Sequence, residues 1–128
     1  MKYIVQSTAG ALGALLSFLY GEMTNAFLVL IALVCIDFCT GLAHAIVEQR
    51  LNSRICSKGI AKKVYILALV AVGHLIDNAT GQNMCMTVVV FFYIANESMS
   101  IIENAGRMGL PVPEKLKSVI EQLNGKEV

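Results

Sequence analysis

Charge is scarce in this chain. Of its 128 residues only 15% are Asp, Glu, Lys or Arg, while 56% are hydrophobic and the mean hydropathy is +0.67. An ordinary soluble domain carries about 25% charged residues. From residue 3 to 47 and from 64 to 102 the only charges are Glu22, Asp37, Asp77 and Glu97. Such a chain cannot clothe a soluble globule and reads as a membrane protein. At about 20 apolar residues per helical crossing, its length holds no more than about four spans and leaves no separate catalytic domain.

Other absences narrow the function. There is no nucleophile motif and no glycine-rich phosphate loop, so nothing points to an enzyme or a nucleotide cofactor. Four cysteines stand at 35, 39, 56 and 85 without CxxC spacing. Buried thiols acting as small hydrophobes fit them better than a disulfide or metal framework. His44 and His74 stand near Asp37 and Asp77, but their spacing is not diagnostic of a metal site. The opening "MKYIVQSTAGALGALLSFLYGEM" resembles a signal peptide but has no A-x-A-type site, and it reads as a retained segment.

What is present is a series of apolar runs, predicting an all-α polytopic protein with spans near residues 3–20, 26–47, 60–79 and 84–102, followed by a tail over 107–128. The first run is rich in small residues and either spans through close helix contacts or lies flat at the interface. The second would be about 33 Å long as a helix and holds twelve Leu, Ile, Val or Phe residues. At about −0.3 to −0.6 kcal/mol each, they outweigh the roughly +3 kcal/mol for Asp37 at its centre. Lys62 and Lys63 are placed to snorkel at the start of the third run. In the tail, Pro113 and Asn124-Gly125 bracket a short helix whose Leu116, Val119, Ile120 and Leu123 form one stripe, suited to a membrane surface or a neighbouring subunit.

The basic residues are one-sided. Arg50, Arg54, Lys58, Lys62 and Lys63 are read as a loop between the second and third runs, and "GEMTN" and "DNATGQN" carry no Lys or Arg. With four spans all ten basic residues share a side, which the positive-inside rule makes cytoplasmic, along with both termini. Such a loop sets topology or contacts anionic lipid more readily than it binds nucleic acid. An interfacial first segment would move only the N-terminus.

Within the apolar runs, polar residues keep helical spacing. Asp37, Gly41, His44 and Glu48 form one stripe with Thr40 alongside, while Gly73, His74 and Asp77 form a second. Asn96, Ser100, Glu103 and Arg107 form a third, with Glu97 beside it. Ionisable groups at that depth face a bundle interior or water, so these helices must associate, within one subunit or between several. Asp37 is either an interhelical clamp or part of a water-filled path.

Read in order, "DFCTG", "SKGIAKK", "HLID" and "FFYIANESMSIIENAGRMGLPVPEKLK" resemble the phage holins of the toxin-secretion and phage-lysis type, over about residues 25–123. The resemblance implies a protein that self-associates in the cytoplasmic membrane and opens lesions through which an endolysin or a toxin passes. Asn96 and Glu97 would then sit at helix contacts or a pore wall. No second Met lies close to Met1, the next being Met23, so a pair of long and short forms is not evident. A non-lytic channel or transport accessory and an antiholin are the alternatives.

Overall fold

The computed structural model describes residues 1–125, and these form α1 (Lys2–Tyr20), α2 (Asn25–Val47), α3 (Ser53–Thr80), α4 (Cys85–Arg107) and α5 (Glu114–Leu123), with no strand among them. The first four are long and apolar enough to cross a membrane. Their ends follow local chemistry. Thr24 Oγ1 accepts the Phe27 N–H at 3.2 Å to start α2, and Asn52 Oδ1 accepts the Ile55 N–H at 2.9 Å to start α3. Gly81 closes α3 in the left-handed region with φ 69°.

The Asn52 cap changes one expectation. Helix α3 begins at Ser53, well before the apolar run at Ile60, so Arg54, Lys58, Lys62 and Lys63 stand on a helix and only Arg50 stays in the connection. Hydropathy marks where a helix enters hydrocarbon, whereas capping marks where the helix begins. The cysteines also differ from expectation. Cys35 and Cys39 are exposed on α2 and Cys56 and Cys85 are partly covered, because the apolar surroundings of this protein lie outside the bundle as well as within it.

Helix α2 packs on α4, and both meet α3. Phe27, Leu30 and Val34 interlock with Ile66, Val70 and Val90 in one apolar cluster at one end of the bundle. Towards the other end Thr40 of α2 meets Asn104 of α4, so these two helices run in the same direction. Two clusters, one apolar at one end and one polar at mid-depth, hold α2, α3 and α4 in register. Helix α1 stands apart. It lies mainly along α3 and buries no residue of its own, and its firm attachment is at Tyr20, which stacks on Phe27 of α2 at 4.9 Å and donates to the Leu67 carbonyl of α3 at 3.0 Å.

Gly73 sets the approach of α3 to α4. A Cβ there would lie 2.9 Å from Met86 Cα, against backbone that cannot swing aside. Gly73→Ala is therefore expected to lower stability in micelles by about 1–3 kcal/mol, as other overpacked contacts do. Gly10→Ala is the control, since nothing lies within 4 Å of that position. Equal melting temperatures for the two variants would refute the close contact.

Candidate functional site

The site is built from two carboxylates that apolar helices carry to mid-depth. Asp37 stands near the middle of α2 and Glu97 near the middle of α4, and they are only 7% and 2% exposed. Lys63 of α3 reaches between them, its Nζ donating to Asp37 Oδ2 and to Glu97 Oε2. Charges in such surroundings persist only when paired and hydrogen-bonded, and here one ammonium serves two acids from two helices. Three helices are thereby pinned at one point.

A second layer orders Asp37. Asn104 Nδ2 donates to Asp37 Oδ1 at 3.2 Å and to Thr40 Oγ1 at 2.9 Å, and the Thr40 hydroxyl donates to the Asp37 carbonyl at 3.1 Å. Gly41 lies against that amide, where a Cβ would stand at an ordinary contact distance of 3.6 Å from Asn104 Nδ2. With both acids ionised, the three charged groups sum to −1. Beside them opens a cleft of about 560 Å³, lined by Tyr93, Asn96, Ser100 and Glu103 as well as the charged residues. Polar groups thus run from the buried seam to an open face.

The other predicted residues serve separate ends. Asp77 accepts the Cys85 and Met86 N–H groups at 2.8 and 2.9 Å, capping α4 from the preceding helix, where Met84 offers no side-chain cap. His74 lies beneath Gly21, whose missing Cβ would meet its ring at 2.6 Å, and it shares a hydrogen bond with Asn78 at 3.0 Å. His44 is buried near the far end of α2, with Nε2 3.3 Å from Glu48 and Nδ1 without a partner. Ser100 is partly covered, whereas Asn96 is exposed. Arg50 pairs with Glu48, and Arg54, Lys58 and Lys62 are exposed.

Two members of the seam were not evident in the sequence reading. Lys63 reads there as a membrane-edge cation, and Asn104 stands outside the stripe drawn through Asn96, Ser100, Glu103 and Arg107. Asn104 lies seven residues after Glu97, two helical turns along the same face. That spacing, together with two apolar-run acids lacking a cation at their depth, is the signal that marks both.

Four helices long and apolar enough to cross a membrane, three of them meeting at a buried polar seam, with a short helix appended, define a small membrane protein. The bacteriophage holin family model matches residues 14–125, and the chain belongs to this family. A probable holin of Bacillus phage phi105 is 36% identical over 98 residues, covering 76% of this chain and 72% of that protein. An uncharacterised protein of Halalkalibacterium halodurans is 44% identical, covering 99% of this chain and 98% of its own length. A 14.9 kDa protein in the nagH 3′ region of Clostridium perfringens is 36% identical, covering 91% and 90%. No solved structure matches the chain.

Proposed function

We propose that this protein acts as a holin: copies accumulate in the cytoplasmic membrane with both termini inside, associate, and open lesions that release a cell-wall hydrolase or a protein toxin. The observation that carries the reading is the Asp37–Lys63–Glu97 seam at mid-depth in a chain of the holin family. In a single bundle these groups satisfy one another and leave no passage for a folded protein. A lesion of that size needs many copies with polar walls. Separating the helices would give Asp37, Lys63, Glu97 and Asn104 to water, which hydrates them favourably, whereas exposing them to hydrocarbon would be prohibitive. The same groups therefore close the resting bundle and suit the wall of an open one.

Inducible expression in bacteria, together with a hydrolase that lacks its own export signal, tests this reading. The expected result is an abrupt loss of membrane potential followed by hydrolase release and lysis. Ion leakage without protein release would favour a non-lytic channel. Intact potential, with delayed lysis when a second holin is supplied, would favour an antiholin.

A further inference from the structure

The C-terminal helix presents an apolar stripe that the bundle does not use. Of the four residues that form it, Ile120 is buried against the rest of the chain, while Leu116, Val119 and Leu123 are each about half exposed. Helix α5 packs on α4 and follows it after only residues 108–113, so it is held close to the end of that span. At 3.6 residues per turn, Lys115 and Lys117 fall on opposite flanks of the stripe, and Glu114, Ser118 and Glu121 fall behind it. Arg50, Arg54, Lys58 and Arg107 belong to the same end of the bundle, at the end of α2, the start of α3 and the end of α4.

We infer that α5 lies in the membrane interface, with Leu116, Val119 and Leu123 among the acyl chains of an anionic leaflet and Lys115 on its headgroups. Three observations select lipid as the occupant. The exposed side chains are large and aliphatic, as an acyl boundary requires. Lys115 flanks them with a long apolar stem, able to lie along the stripe and reach phosphate, while Lys117 on the other flank is paired with Glu114 at 3.0 Å. The surrounding helix ends add further positive charge where an anionic surface would stand. This assignment concerns the resting membrane protein and does not depend on lesion formation.

The sequence contains no Trp, so a single introduced indole reports on its own position. The full chain carrying Val119→Trp is reconstituted in phosphatidylglycerol-containing vesicles, with Ser118→Trp as the opposite-face control. The expected result is blue-shifted Val119→Trp emission, strongly quenched by brominated acyl chains, with little quenching of Ser118→Trp. Quenching should weaken in purely phosphatidylcholine vesicles and on adding Lys115→Gln. Water-like emission insensitive to brominated lipid would overturn the inference. So would blue-shifted emission that ignores brominated lipid and grows with the protein-to-lipid ratio, since a second copy would then cover the stripe. Equal quenching in the two kinds of vesicle would overturn the anionic assignment.

Discussion

Lys63→Met is expected to cost about 3–5 kcal/mol of stability, because it leaves the carboxylates of Asp37 and Glu97 buried and uncompensated. The loss should be visible as a lower melting temperature in micelles. In cells, it should bring premature permeabilisation or degradation of the protein. A neutral seam tests whether charge imbalance is the cause. Lys63→Met combined with Asp37→Asn and Glu97→Gln removes all three charges while nearly keeping their shapes, and it should recover most of the lost stability. Wild-type melting of the single variant would show that Lys63 does not hold the helices together, and failure of the triple variant to recover would point to packing of the lysine stem.

Glu97 separates hydrogen bonding from charge. Glu97→Gln keeps an acceptor for Lys63 and leaves Asp37 and Lys63 as a balanced pair, so bundle stability and association between copies should largely persist. Glu97→Leu removes the acceptor at a site only 2% exposed. It should cost about 1–3 kcal/mol, as an unmet buried polar group does, with loss of crosslinked oligomers and of lysis. Indistinguishable melting, crosslinking and lysis in both variants would show that the carboxylate is incidental.

The all-helical architecture was legible because apolar runs long enough to cross a bilayer leave few other solutions. The chain-end helix was legible too: its proline and Asn-Gly brackets fall at the ends of the observed α5. The depth of Asp37 and Glu97 put each at a helix contact or beside water, and the structure buries both. Their common partner was not legible, since periodicity along one helix says nothing about which residue of another helix reaches the same level. Hydropathy also set Lys63 at a boundary, whereas the cap at Asn52 makes it an interior residue of a longer helix. Asn96 and Glu97 read as a unit in the sequence, yet adjacent helical positions point about 100° apart. The first is exposed and the second buried.

The three charges of the seam are also ordered along the chain, and synthesis proceeds in that order. Asp37 enters first, carried by the aliphatic residues of its own helix. Lys63 follows and can form a neutral pair with it. Glu97 arrives last, on the helix that also brings Asn104 to Asp37 and Thr40. A nascent chain halted before α4 therefore holds one carboxylate beside one ammonium, and the final crossing both completes the bundle and brings the second carboxylate.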